Sequence, residues 1–212
     1  NPRSQSVTLD PDETVHVYFG FHVPSRIIAY TFYDDDGNGV WDAGEDDMPY
    51  IRIDLSNGDY GSTNWDGEEV FDVDPGDYTV VVDEDDGSIP SYAVLTTPGS
   101  QGVTVDPGEV EEVYFGFRVP GRIRAYTFLD DNGNGTWDSG EDALPNIRVD
   151  VSSGASGSTN SSGYETFREW PGTYTVEVDD TDSDIPSGAE LTTPRSESVN
   201  VRAGRLVRVY FG

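Results

Sequence analysis

Apolar residues in this chain fall at every second position over short runs. "YIRIDL" sets Ile51, Ile53 and Leu55 against Arg52 and Asp54, the alternation of a strand with one buried face. "RIIAYTFY" (26–33) and "RIRAYTFL" (122–129) mix β-branched and aromatic residues, which suit a pleated surface. "GDYTVVVD" (76–83) and "GTYTVEVD" (172–179) each follow a Pro-Gly turn. "GVTVDPGEVEEVYFGF" reads as a hairpin: Val103 and Val105, a turn at Asp106-Pro107-Gly108, then Val110, Val113 and Phe115. Turn signals recur about every 8–12 residues and helical periodicity is absent, so the pattern predicts an all-β sandwich architecture.

The pattern repeats. Gly20, Gly116 and Gly212 close three copies of "VYFG" at a spacing of 96 residues. Residues 21–116 align with 117–212 without a gap, and more than half of the positions are identical. Pro2, Pro98 and Pro194 correspond, as do Val7, Val103 and Val199. A period of 96 is too long for a solenoid unit and suits an independent sandwich of about seven strands. Residues 1–22 then read as the closing hairpin of a preceding repeat, 23–118 as repeat one and 119–212 as repeat two. The whole reads as a window on a longer array. The junction "FGFRVPGRI" is short and carries Pro120-Gly121, which predicts a stiff connection.

Each repeat carries one acidic loop after its first strand, "DDDGNGVWDAGE" (34–45) and "DDNGNGTWDSGE" (130–141). Counted from the first Asp, oxygen side chains stand at positions 1, 3, 5, 9 and 12. These are Asp34, Asp36, Asn38, Asp42 and Glu45 in repeat one, and Asp130, Asn132, Asn134, Asp138 and Glu141 in repeat two. Glycine holds position 6 (Gly39, Gly135), where a sharp turn is needed, and position 7 (Val40, Thr136) offers a backbone carbonyl. That is the ligand spacing of the twelve-residue calcium loop. The competing reading is an acidic turn that binds nothing; a six-position match made twice in register favours Ca2+. Magnesium prefers fewer protein ligands and a stricter octahedron. A second acidic cluster, Asp83, Glu84, Asp85 and Asp86, matched by Asp179, Asp180, Asp182 and Asp184, has no fixed spacing. It reads as a solvated loop, with a further calcium site as the sharper alternative.

Composition narrows the chemistry. The 212 residues include 41 Asp plus Glu against 12 cations, for a net charge of -29. All the cations are arginine, and cysteine is absent. Disulfides, thiolate sites, Schiff-base lysines and lysine isopeptide cross-links are therefore excluded. Charge of this sign repels phosphate backbones, so nucleic acid is not an expected partner. No apolar run approaches the ~20 residues of a membrane span, so membrane insertion is not expected, and no signal-peptide pattern is present.

These residues resemble the SdrD B-like domains, relatives of the collagen-adhesin B-type repeats of microbial cell-surface proteins. The shared string is a strand, the D-x-[DN]-x-N-G-x-x-D-x-G-E loop, "IRIDL", "GSTNWDGEEVF", "PGDYTV" and "VTVDPGEVEEVYFGF". The resemblance spans both repeats and implies a prealbumin-like, Ig-like sandwich. It also implies calcium held by the loop residues named above, and an extracellular stalk whose repeats hold a ligand-binding head off the cell wall. Many collagen-adhesin-type domains carry a Lys–Asn isopeptide bond, which this lysine-free chain lacks. Acidity with arginine alone fits a salt-adapted host or simply a calcium-rich exterior.

An enzyme is not expected. The two histidines, His16 and His22, are replaced one period on by Glu112 and Arg118, and Arg208 stands where Glu112 does in repeat two. Paired carboxylates could serve a glycosidase, but the dense clusters are accounted for by loop and turn. Trp41 and Trp137 read as packing lids of the loops. Trp65 and Trp170 face Ser161 and Asp74 in the other repeat, so they form no shared site. Asn160 heads a glycosylation sequon on an expected loop, and Asn134 heads one that competes with metal ligation. The expectation is a calcium-stabilised structural repeat of a stalk, adhesin or fibre. The alternatives are an adhesin module recognising a protein or glycan, and a filament subunit in which residues 1–22 dock onto a neighbouring copy.

Overall fold

A computed structural model describes residues 4–212; Pro2 and the start of the segment expected over 1–22 lie outside the described residues. Among the described residues fifteen strands build two sandwiches. Repeat one contributes β1 (Ser25–Tyr33), β2 (Arg52–Leu55), β3 (Tyr60–Ser62) and β4 (Glu68–Val73). β5 (Gly76–Val82), β6 (Val94–Leu95), β7 (Ser100–Val105) and β8 (Val110–Arg118) complete it. Repeat two contributes β9 (Gly121–Thr127), β10 (Arg148–Val151), β11 (Ser156–Ser158) and β12 (Tyr164–Glu169). β13 (Gly172–Val178), β14 (Ser196–Val201) and β15 (Leu206–Phe211) follow. Among the described residues no helix is long and apolar enough to cross a membrane.

The sheets run β4-β1-β8-β6 and β3-β2-β5-β7 in repeat one, β12-β9-β15 and β11-β10-β13-β14 in repeat two. Alternation decides which side chains meet between the sheets. Ile27 and Ala29 of β1, Ile53 and Leu55 of β2, Val80 and Val82 of β5 and Phe115 of β8 form one core. Ile123, Ala125, Val149, Val176 and Val209 form the other. First and last strands pair in parallel at matching places, Ala29 with Val113 and Ala125 with Val209. The glycine ending "VYFG" is a packing requirement. A Cβ at Gly116 would lie 2.6 Å from Cζ of Phe32, and one at Gly212 would lie 2.6 Å from Cζ of Phe128. Each sandwich also has a tyrosine corner, Tyr78 donating to the Asp74 carbonyl (2.8 Å) and Tyr174 to that of Trp170 (3.0 Å).

The expected hairpin is corrected. The Asp106–Glu109 turn forms, with Glu109 N–H donating to the Asp106 carbonyl at 3.0 Å. Its two strands, however, belong to opposite sheets. β7 pairs with β5 (Val105 with Gly76), whereas β8 pairs with β1 and β6. The turn is an arch across the core, so Val105 and Phe115 bury from opposite walls. Residues 4–22 explain themselves on this basis. They keep the turn, with Glu13 N–H on the Asp10 carbonyl at 3.1 Å and Asp12 at φ 67° where Gly108 has 82°. They form no strand, because the arch pairs with the other strands of its own sandwich and not with itself.

Candidate metal centres

β1 runs directly into the first acidic loop, and the chain closes that loop by returning to pair with it. Tyr33 N–H donates to the Asp46 carbonyl at 2.8 Å, and Phe32 bridges to Asp47. Repeat two closes its loop the same way, with Leu129 N–H on the Asp142 carbonyl at 2.8 Å and Phe128 bridged to Ala143. A buried pair of threonines fastens each exit: Thr31 and Thr63 hydroxyls meet at 3.0 Å, as do Thr127 and Thr159.

Inside loop one, Asp34 organises the backbone. Its Oδ1 accepts the N–H groups of Gly37 (2.6 Å) and Asn38 (3.1 Å), and its Oδ2 accepts that of Gly39 (2.7 Å). Asp130 does the same for Gly133, Asn134 and Gly135. Burial pushes the Asp34 carboxyl upward, but the Thr96 hydroxyl and these three N–H groups outweigh it, and the pKa lies below the usual carboxylate value. Gly37 and Gly39 take φ of 79° and 77°, left-handed backbone that favours glycine. Glu45 caps the loop from its other end, accepting Asp35 N–H (2.8 Å) and Asp42 N–H (2.9 Å).

Three of the predicted ligands come together, all in loop one. Carboxylate oxygens of Asp34, Asp36 and Glu45 lie within 4.8 Å of one another. Asn38 places its Oδ1 on Val40 N–H (2.6 Å) and its Nδ2 between Asp36 (2.9 Å) and Asp42 (2.7 Å). In repeat two, Nδ2 of Asn132 and of Asn134 both donate to Asp138 Oδ2, at 3.0 and 2.7 Å. The carbonyls of Val40 and Thr136 accept no hydrogen bond among the described residues. Crowding is costly: burial raises the Glu45 pKa, and the charges of Asp34 and Asp36 add to the rise against the two N–H donors. Glu141 Oε1 is buried with no hydrogen-bond partner, while its Oε2 accepts Asp138 N–H at 2.8 Å. An orphaned carboxylate oxygen at position 12 is the donor that a hard cation would satisfy. The donor set, all oxygen, fits calcium.

Trp41 and Trp137 pack the loops onto the sheet, Trp41 against Phe32 (5.9 Å) and Trp137 against Phe128 (5.7 Å), both stacked. The second acidic clusters are bonded into their own turns. Asp86 accepts Ser88 N–H (2.7 Å) and Arg52 N–H (3.1 Å), and Asp182 accepts Asp184 N–H and Arg148 N–H (both 3.0 Å).

Loop one has a second role that the motif does not encode. Asp35 Oδ1 accepts Ala203 N–H of repeat two at 3.2 Å, and Asp46 pairs with Arg205 at 3.5 Å. Arg118 lies against Gly37, whose Cβ would sit 3.1 Å from its Cδ, and its guanidinium stacks over Trp170 at 5.0 Å. Arg168 covers Tyr92 at 3.8 Å. Val119 is 1% exposed and Ala203 joins the core of repeat one. Only Val119 and Pro120 separate β8 from β9. The first acidic loop thus sits in the joint between repeats. The only sequence signal for this was negative: Trp170 has no counterpart in the other repeat.

Solved structures of similar outline include three bacterial proteins. The Bacillus anthracis TIE protein matches at 18% identity over 89% of this chain, with a TM-score of 0.40. This chain spans 34% of that protein's length. A minor pilin of Streptococcus agalactiae matches at 12% identity, covering 87% of this chain and 93% of its own, TM-score 0.34. The shaft pilin SpaA of Lactobacillus rhamnosus GG matches at 9% identity, covering 90% and 97%, TM-score 0.37. Overlaps this loose carry no argument about function. No family model matches the chain, and no curated protein does.

Proposed function

We propose that this chain is a non-catalytic structural module of an extracellular stalk, adhesin or fibre, two sandwiches whose acidic loops each bind one calcium ion. The observation that carries this is the convergence of Asp34, Asp36 and Glu45, in a loop whose counterpart leaves Glu141 Oε1 buried and unpaired. Asp34, Asp36, Asn38, Asp42, Glu45 and the Val40 carbonyl would hold the ion in repeat one. Asp130, Asn132, Asn134, Asp138, Glu141 and the Thr136 carbonyl would do so in repeat two. Calcium supplies the positive charge that these carboxylates lack, and so ties the end of β1 to the returning chain. Because loop one also contacts Ala203 and Arg205, its rigidity passes to the joint. Neighbouring repeats are the natural partners of such a module. Titration calorimetry with calcium, alongside melting in chelator, tests the reading. Two binding events and a higher melting midpoint with calcium are expected; no heat and an unmoved midpoint would remove calcium from it.

A further inference from the structure

The two repeats part company around Trp65. More than half of their aligned positions are identical, yet Tyr33, Asp47, Tyr50 and Trp65 stand where repeat two has Leu129, Ala143, Asn146 and Ser161. Trp65 is 77% exposed and Tyr50 is 43% exposed. Their rings meet edge to face, with centroids 5.1 Å apart and planes at 73°. A single exposed apolar side chain needs no explanation, but a fixed pair of aromatic rings confined to one repeat does.

Tyr50 is also placed at a cost. Its φ is 68°, left-handed backbone that a bulky side chain avoids. Asn146 takes the same turn at φ 67°, and asparagine is among the residues that tolerate it. Both turns are fixed alike: Tyr50 N–H donates to the Thr63 carbonyl at 2.8 Å, and Asn146 N–H to the Thr159 carbonyl at 2.6 Å. The backbone therefore does not call for tyrosine, and what distinguishes repeat one is the ring set beside Trp65.

Next to the rings lies a groove of about 400 Å³. Tyr33, Asp46, Asp47 and Trp65 form one wall, and the Ala203–Arg205 turn between β14 and β15 forms the other. Both walls are held by contacts inside the joint, Tyr33 N–H on the Asp46 carbonyl and Ala203 N–H on Asp35. The polar groups of the groove carry both signs and are loosely engaged. Asp46 and Arg205 approach only to 3.5 Å, with side chains 51% and 70% exposed. Arg205 thus keeps donors free, and Asp46 keeps lone pairs.

We infer that this groove binds a neutral glycan. A pyranose ring has a face of C–H groups bordered by hydroxyls that both donate and accept. The exposed ring of Trp65 takes the apolar face, the carboxylates of Asp46 and Asp47 accept from hydroxyls, and Arg205 donates to them. A cationic peptide would set its charge against Arg205. An anionic sugar would meet Asp46 and Asp47 on a chain of net charge -29. A ligand without charge and rich in hydroxyls suits donors and acceptors together. Because the groove needs Arg205 as well as Trp65, the site exists only where the two repeats are joined. This binding goes beyond the structural role proposed above.

Heteronuclear NMR on the 212-residue chain, with calcium held constant, tests this. The probes are glucose, galactose, mannose and N-acetylglucosamine, with sialyllactose and tetra-arginine for comparison. The 4 tryptophans give separate indole N–H signals, and Trp65→Phe assigns the relevant one. At least one neutral sugar is expected to shift the Trp65 indole and the Asp47 and Gly204 amides, with a dissociation constant on the order of 1–10 mM. Trp41, Trp137 and Trp170 are expected to stay unmoved. Trp65→Ala, a change at an exposed position that leaves both cores intact, is expected to abolish the shifts at Asp47 and Gly204. Tyr50→Asn, which installs the residue of repeat two, is expected to weaken binding while raising the melting midpoint, a combination that loss of structure does not produce. No shift from any of the neutral sugars up to ~50 mM overturns the proposal. So does an equal shift of all the indoles, or a Trp65→Ala variant that binds like wild type. A stronger response to tetra-arginine or sialyllactose than to any neutral sugar overturns it as well.

Discussion

Asp35 Oδ1 accepts the backbone N–H of Ala203 across 168 residues of chain, so an acidic side chain of one repeat holds the backbone of the next. Its charge is disfavoured there. Burial raises its pKa and the charges of Asp46 and Asp34 add to the rise, while the Ala203 N–H and Arg202 oppose it. Replacing it by Ala removes the acceptor and leaves both cores untouched. The expected cost is about 1 kcal/mol after allowing for solvent screening, confined to the joint. Small-angle X-ray scattering is the measurement: Asp35→Ala broadens the distribution of interrepeat distances while melting of the sandwiches stays unchanged. An unaltered scattering profile would assign the joint's stiffness to its other contacts, such as Arg118 over Trp170 and the buried Val119 and Ala203.

Calcium is expected to act on the two loops independently, since each is closed by its own sandwich. At calcium 100-fold above the dissociation constant each site adds about 2.7 kcal/mol. Glu45→Gln keeps the shape and removes a charge that Asp34 and Asp36 already oppose. The variant is expected to lose calcium affinity at repeat one while gaining stability in chelator, where like-charge crowding is relieved. Melting in both conditions separates these effects. A variant less stable than wild type in chelator would show that the N–H groups of Asp35 and Asp42, one on each Glu45 oxygen, outweigh the like-charge crowding.

Much of this was legible in the sequence because it is local. Alternation at Ile51, Ile53 and Leu55 located β2, and the spacing from Asp34 to Glu45 located a loop in which Asp34, Asp36 and Glu45 come together. The Asp106-Pro107-Gly108 signal was legible only as a reversal. A turn of this composition serves a hairpin or an arch equally, and what distinguishes them is whether β8 pairs with β7 or with β1, a contact between distant residues. The joint was illegible for the same reason. Asp35, Arg118, Trp170 and Ala203 are scattered along the chain, and neither Trp170 nor Ala203 is matched one period earlier.

The closing glycines offer a test of packing with its own control. A methyl group at Gly116 would meet Phe32 Cζ and Thr96 Oγ1, each at 2.6 Å, in a filled core. Gly116→Ala is expected to destabilise repeat one by about 1–3 kcal/mol through forced displacement of that ring. At Gly20, the same residue of the same motif, a Cβ meets nothing within 4 Å. Gly20→Ala is expected to leave the urea midpoint unchanged. Equal effects at the two positions would mean that the glycine acts through backbone freedom rather than through Phe32.

Asp86 gives the pH dependence of repeat one a definite sign. Burial raises its pKa, but the Ser88 N–H and hydroxyl, the Arg52 N–H and the Arg52 charge together bring it below the ordinary value. A carboxylate depressed in the folded state stabilises fully above its unfolded pKa of about 3.9, and that stabilisation is lost as pH falls through the folded value. Asp86→Asn keeps the size of the side chain and removes the charge. The stability gap between wild type and variant is therefore expected to be constant from neutral pH down to about 5 and to close as pH falls below about 4. Comparing the two chains cancels the many other carboxylates that titrate in the same range. A gap that persists undiminished in acid would mean that Asp86 holds the turn to Arg52 by shape and hydrogen bonding, with its ionisation contributing nothing.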